Sequence, residues 1–347
     1  GVGGCSTPPN TQFSDGFLMN PRNIDVMKSA DLIVRRLLAV QPGENVMIIC
    51  DPGSEMSMAS ALAGIVESVG AEYTIALRPT REKDRANDLT PMIEKGLEAA
   101  DCMIGMTRFS GAPTYSKAVK ARYKAKKLRT ISMVMRDLDN FTRGGALADY
   151  DALYAEGKRL SAVWDQVTEI RVTNPAGTDI CATIGNAKSI VECGFATEPG
   201  LEAAFSDGEV SQGPNEGTSE GVIVVDGPIC YLGLPDEPVR LHVSGGRVTK
   251  VEGNGRTASE LRRIVETIAN AGNIAEFGIG LNGWSLRNGD FEEEKKGRGN
   301  VHIALGDNIF YGGTTHSSVH IDMVLYKSTV SLGDQVVVEN GKVQLPE

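Results

Sequence analysis

The first half of the chain switches repeatedly between two hydrophobic periods. Residues 24–39 set Ile24, Met27, Leu32, Val34, Leu37 and Leu38 at helical spacing, and Pro42-Gly43 stops the pattern. Short apolar runs follow at 45–50, 72–77, 101–106 and 129–133, each the length of one buried strand. The stretches between them predict helices. One spans 54–69, with Ser54 as its cap and Gly70 as its stop. A second spans 90–100, where Thr90-Pro91 puts proline at the favoured first position. Others are expected at 117–127 and 147–164. Such alternation predicts an α/β unit over 24–166: a doubly wound parallel sheet covered on both faces. The loop 107–116 leaves the end of a strand, where open α/β sheets bind ligands. From there Arg108, Ser110 and Tyr115 could reach a substrate, the other reading being ordinary loop surface.

From Val167 the period shortens to two. Strands are expected at 169–173, 179–184, 221–225, 239–243, 247–252, 273–280, 300–306 and 319–326, joined by Gly, Asn and Pro turns. One helix interrupts them at 257–271, where Thr257 and Glu260 have capping-box spacing. Asn340-Gly341 marks a closing hairpin. Residues 167–347 thus read as a mostly β (α+β) domain that carries the chemistry. The start of the chain has neither a basic region nor an apolar core, so no signal peptide is expected, and residues 1–23 are expected to be a mobile tail.

Composition narrows the function. At 347 residues there is room for two domains. A net charge of −10 and a pI near 5.1 argue against nucleic acid as the main partner. No apolar run approaches the ~20 residues of a membrane span. None of the six cysteines forms a C-x-x-C pair, which fits reduced, cytoplasmic usage. No G-x-G-x-x-G follows Cys50 and there is no P-loop, so no nucleotide cofactor is expected.

Residues 299–322 concentrate the chemistry, with three of the four histidines. His320 and Asp322 stand two apart in Val319-His320-Ile321-Asp322-Met323, so both side chains leave one face of a strand. His302 sits in the similar run Val301-His302-Ile303. The turn Tyr311-Gly312-Gly313 can fold one run against the other and gather two imidazoles and a carboxylate, a metal-ligand set. Two further acids have unusual settings. Glu276 lies inside the apolar strand Ile274-Ala275-Glu276-Phe277, where a buried carboxylate needs a partner. Glu209 lies in Asp207-Gly208-Glu209, just before Pro214-Asn215-Glu216-Gly217-Thr218-Ser219-Glu220.

The ordered set Asp207-Gly-Glu209, Asn215-Glu-Gly-Thr218, Ala275-Glu276-Phe-Gly278, His302-Ile-Ala-Leu-Gly306 and Ser317-Ser-Val-His320-Ile-Asp322 resembles the aminopeptidase T and S metallopeptidases over about 170–340. The resemblance implies Glu209, Glu276, His302, His320 and Asp322 as ligands of two divalent metals of the Zn, Mn or Co class. It also implies a homodimer, and makes Tyr311 the nearest match to the family's catalytic tyrosine. Glu216, Glu220, Glu294 and His316 remain candidates for supporting or general-base roles. The same superfamily holds the 2,5-dihydroxypyridine dioxygenases, which the chain resembles in length and in Glu198-Pro199-Gly200 and Pro214-Asn215-Glu216. That branch implies one Fe(II), a His where this chain has Glu276, and no counterparts of Glu209 and His302. The ligand set favours the first branch, hence a dinuclear metallohydrolase of an amide or peptide bond in a small molecule or short peptide. The alternative is a mononuclear Fe(II) ring-cleaving dioxygenase.

Overall fold

The structure is a computed structural model that describes residues 22–82, 85–109, 112–133 and 138–345. The expected tail (apart from residues 22 and 23) and Ser110 lie outside these residues. The fold class is the expected one, an α/β unit joined to a mostly β one.

The first sheet is parallel. β1 (Asn45–Cys50) is flanked by β2 (Glu72–Leu77) and β3 (Cys102–Met106), and β4 (Arg129–Met133) lies beyond β3. Alternate residues of β1 face opposite covers. Val46 and Ile48 pack with α1 (Arg22–Asp31), the π-helical turn Leu32–Leu37 and α2 (Met56–Val69). Met47 and Ile49 pack with Ile93 and Leu97 of α3 (Pro91–Leu97) and Val119 of α4 (Lys117–Lys124). Thr90 caps α3 as expected, accepting from Ile93 N. Ser54 does not cap α2: its hydroxyl accepts from Asp51 N at 2.8 Å and donates to the Met106 carbonyl, stapling β1 to β3 instead. After the short α5 (Asp139–Thr142), α6 (Tyr150–Trp164) runs beneath the later strands.

The second sheet is antiparallel and holds β5 (Glu169–Thr173) and β6 (Asp179–Thr183), followed along the chain by β7 (Ile190–Glu192) of the third sheet. The chain then returns to the first sheet. β8 (Glu202–Phe205) pairs in parallel with β4 and completes it from beyond residue 167. β9 (Glu209–Gln212) joins the third sheet, and β10 (Glu220–Val225), β11 (Val239–Ser244) and β12 (Arg247–Glu252) extend the second. The helix α7 (Arg256–Thr267) starts without the Thr257 box. Asp236, from a neighbouring loop, accepts from Arg256 N and Thr257 N at 3.0 and 3.4 Å, while Glu260 pairs with Arg263. Next come β13 (Ile274–Gly280), α8 (Phe291–Glu294), β14 (Val301–Gly306) and β15 (His320–Leu325). The chain closes with β16 (Thr329–Leu332), β17 (Gln335–Glu339) and β18 (Lys342–Val343), whose hairpin turn is Asn340-Gly341, both at positive φ. The third sheet, ordered β15-β14-β13-β9-β7, carries the five expected ligands.

Candidate metal centre

Register puts the ligands on one face. Ala304 stands opposite Asp322 on one side and Glu276 on the other; Gly278 stands opposite His302, and Gly280 opposite Glu209. Period two then aligns Glu209, Glu276, His302, His320 and Asp322 across four strands. The two glycines make the hollow. A Cβ on Gly278 would lie 2.1 Å from His302 Cε1 and Nε2, so the imidazole can cross β13 only there. A Cβ on Gly280 would lie 2.3 Å from the Gly297 carbonyl oxygen, so the 295–297 segment closes the far end.

Two donor groups result, and Glu276 belongs to both. Its Oε2 lies 3.0 Å from His320 Nε2, which is 3.2 Å from Asp322 Oδ1. Its Oε1 lies 3.2 Å from His302 Nε2, which is 3.5 Å from Glu209 Oε2. The accessible group is the first, because His320 is 29% exposed while Glu209, Glu276 and His302 are at most 1%.

The residues fit a metal ion. His320 Nδ1 is 2.7 Å from the Asp307 carbonyl oxygen, which only accepts, so Nδ1 donates and Nε2 is the free nitrogen. That nitrogen meets two carboxylate oxygens, and Asp322 Oδ1 is buried without a hydrogen bond. Three lone-pair donors converge, and only a proton or a metal satisfies them. In the metal-free chain the proton is favoured. Burial opposes charge on His320, but Asp322 and Glu276 outweigh it and raise its pKa well above the usual value. Burial and Asp322 push the Glu276 pKa up, yet His302 and His320 prevail and hold it at about 2.

Lysines that local sequence had not marked also enter the cluster. Lys296 Nζ lies 2.7 Å from Asp207 Oδ1 and 2.6 Å from Glu209 Oε1. Lys295 Nζ lies 3.4 Å from Asp322 Oδ2 and 3.8 Å from Glu209. Burial would raise the Glu209 pKa, but the two ammonium groups and His302 lower it. Glu192 of β7, opposite Glu209, goes the other way: burial, with Glu209 and Asp207 nearby, raises its pKa well above normal despite Lys296. Asp207 and both lysines lie in locally polar stretches that gave no signal, whereas Glu192 stands in the apolar run Ile190-Val191-Glu192-Cys193, the kind of setting that marked Glu276.

The expected catalytic residues divide. The Tyr311 ring stacks on His320, with centroids 5.4 Å apart and planes at 19°. Burial, then Glu276 and other carboxylates, push its hydroxyl pKa well up, so it stays protonated. Glu216 holds the Tyr311 loop by accepting from Asn308, Thr314 and Thr315, which lowers its pKa to about 2. Glu294 is not in the cluster; it accepts from Gly289 N and from the Tyr326 hydroxyl. His316 is 83% exposed and paired with Asp307 at 2.7 Å, and Glu220 caps a turn at Gly245 N. Glu220, Glu294 and His316 thus lie outside both donor groups, and of the four supporting candidates Glu216 alone holds the loop that carries Tyr311. In the first unit Tyr115 is 46% exposed; its N donates to Asn87 Oδ1 at 3.1 Å and its ring lies under Lys120 Nζ, 5.3 Å from the centroid. Arg108 bonds the Arg81 carbonyl at 3.1 Å. Two surface clefts of about 400 and 530 Å³ flank the first sheet; Tyr115 borders the smaller, and none of the five ligands lines either.

A parallel sheet beside an antiparallel one whose inner face gathers imidazoles and carboxylates offers the donor types of a metal site. The chain belongs to the family described as NicX: 2,5-dihydroxypyridine 5,6-dioxygenase, which it matches over residues 30–345. It is 28% identical over 200 residues to the 2,5-dihydroxypyridine 5,6-dioxygenase of Pseudomonas putida, a segment covering 52% of this chain and 56% of that protein. Its fold is similar to the solved 2,5-dihydroxypyridine dioxygenase of Pseudomonas putida KT2440, with TM-score 0.78, 20% identity, and 94% and 98% of the two chains covered. It is also similar to AmpT from Thermus thermophilus, with TM-score 0.69, 15% identity, and 93% and 99% covered. Both branches expected from the sequence therefore share this fold. The hydrolase expectation is overturned: the family match and the curated relative both name a dioxygenase. Matching ligand types had outweighed whole-chain similarity, and they do not discriminate between the two chemistries. No helix among the described residues is long and apolar enough to cross a membrane.

Proposed function

We propose that this chain is a ring-cleaving dioxygenase that acts on a dihydroxylated nitrogen heterocycle with a single ferrous ion. The observation that carries the reading, beside family membership, is the one accessible donor group, Glu276, His320 and Asp322. One imidazole and two carboxylates suit a divalent iron, though they depart by one ligand from the common two-His, one-carboxylate set.

A ferrous ion supplies the redox chemistry that an electron-rich ring and dioxygen need in order to combine. The chain's own residues do the rest. The Asp307 carbonyl fixes the His320 tautomer, and the Tyr311 ring fixes its plane. Lys295, held charged by Asp322 and Glu209 against its burial, offers a cation to a ring oxygen losing its proton. The Tyr311 hydroxyl, on the ring that stacks against His320, is held protonated and is a neutral donor. Glu216 anchors the loop that carries Tyr311 through Asn308, Thr314 and Thr315.

The test is direct. Protein reconstituted anaerobically with Fe(II) is mixed with 2,5-dihydroxypyridine and labelled dioxygen. Equimolar loss of ring absorbance and of dioxygen is expected, with both labelled atoms in the product. Absence of dioxygen uptake with this and other dihydroxypyridines overturns the proposal.

A further inference from the structure

We infer that Lys296 is a built-in cation that occupies the charge position of a second metal and limits this centre to one ion. The inference rests on the proposed placement of the metal at Glu276, His320 and Asp322, and concerns the other donor group, Glu209, Glu276 and His302.

That second group has the donors of a metal site, Glu209 Oε2 facing His302 Nε2 at 3.5 Å, but Glu209 already carries a cation on its other oxygen. Lys296 Nζ contacts Glu209 Oε1 at 2.6 Å and Asp207 Oδ1 at 2.7 Å, and all three side chains are at most 4% exposed. The lysine is fixed from both ends. Its carbonyl accepts from Asn282 N at 2.9 Å, and its backbone rests on Gly280, where any Cβ would lie 2.7 Å from the Lys296 carbonyl carbon. Its partner is fixed too: Asp207 accepts from Gly194 N and Gly208 N, both at 2.9 Å. The ammonium is therefore part of the packed interior and not a surface arm that a metal could brush aside.

Charge balance agrees. Asp207, Glu209, Glu276 and Asp322 bring four negative charges, and Lys295 and Lys296 bring two positive ones. One dication cancels the remainder. A second would leave two uncompensated positive charges in a buried site, which low-dielectric surroundings penalise strongly.

The experiment is metal stoichiometry, read separately from dioxygen uptake. Wild-type protein titrated with Mn(II) should bind one equivalent and show the spectrum of an isolated ion. Lys296→Met should bind a second equivalent, which Lys296→Met combined with His302→Ala loses again. Two equivalents in the wild type, or one in folded Lys296→Met, overturn the inference. If Lys296→Met does not fold, Lys296→Gln decides, since it keeps a polar group against Asp207 and Glu209 without the charge: a second equivalent of Mn(II) supports the inference, and a single one in the folded protein overturns it. An enzyme that binds one metal but consumes no dioxygen would sink the proposed reaction while leaving this inference standing.

Discussion

Gly278→Ala tests whether the hollow in the third sheet is real. The added Cβ would stand 2.1 Å from two atoms of the His302 ring and 2.9 Å from a third. An ordinary carbon contact is about 3.5 Å, so the ring must retreat by about 1.4 Å. Gly278 lies within β13 and has no positive φ, so backbone strain is no part of the effect. Two costs add. Overpacking a filled interior costs about 1–3 kcal/mol. Pulling His302 Nε2 from Glu276, 3.2 Å away in a wholly buried pair, costs on the order of 1–3 kcal/mol more. A loss of roughly 3 kcal/mol lowers the melting temperature of a chain this size by about 4 °C. Gly283→Ala is the control, since its Cβ meets only Arg298 Cδ at 3.8 Å. It should stay within about 0.5 kcal/mol of the parent. Calorimetric melts of the three metal-free proteins read the difference. If Gly278→Ala melts with the control, the ring does not cross the strand and the geometry argued here fails.

Two other outcomes follow from the site. Glu276→His supplies one nitrogen where a carboxylate stood and restores two imidazoles and one carboxylate; it should keep one iron and dioxygen uptake within about tenfold of the parent. Loss of the iron on elemental analysis would show that Glu276 holds the metal in a way a histidine cannot. The Glu216 pKa is lowered to about 2 by its hydrogen bonds, so its contribution is full above about 4.5, the ordinary carboxylate value, and is lost as pH falls towards 2. Protease cleavage within 308–315 should rise over that window, and Glu216→Gln should flatten the dependence; an unchanged profile would mean Glu216 does not hold the loop.

Much of this was legible in the chain. Strand period and the Gly312-Gly313 turn were enough to bring His320 and Asp322 beside His302, because β14 and β15 pair locally. Glu276 stood out as an acid in an apolar strand and proved fully buried. What escaped depends on distant contacts. Lys295 and Lys296 end the run Glu292-Glu293-Glu294-Lys295-Lys296, which looks like solvated surface until Asp207 and Gly280 bury it. Ser54 and Thr257 looked like caps, but β3 claimed one and Asp236 displaced the other. The choice of hydrolase failed for another reason: the ligand types were given more weight than the whole-chain similarity that the family match bears out.

The late arrival of β8 has a consequence for how the molecule is made. Every residue of β4 is buried, and its outer edge is paired only by Glu202–Phe205. A chain emerging from its N-terminus therefore carries a bare, apolar strand edge until residue 205 has been synthesised, and an exposed edge of that kind recruits other chains. The strand that removes the hazard is followed within four residues by β9, which bears Glu209. Sealing the nascent sheet and starting to assemble the metal-bearing one are thus nearly a single event, and a fragment ended at residue 166 would keep the exposed edge permanently.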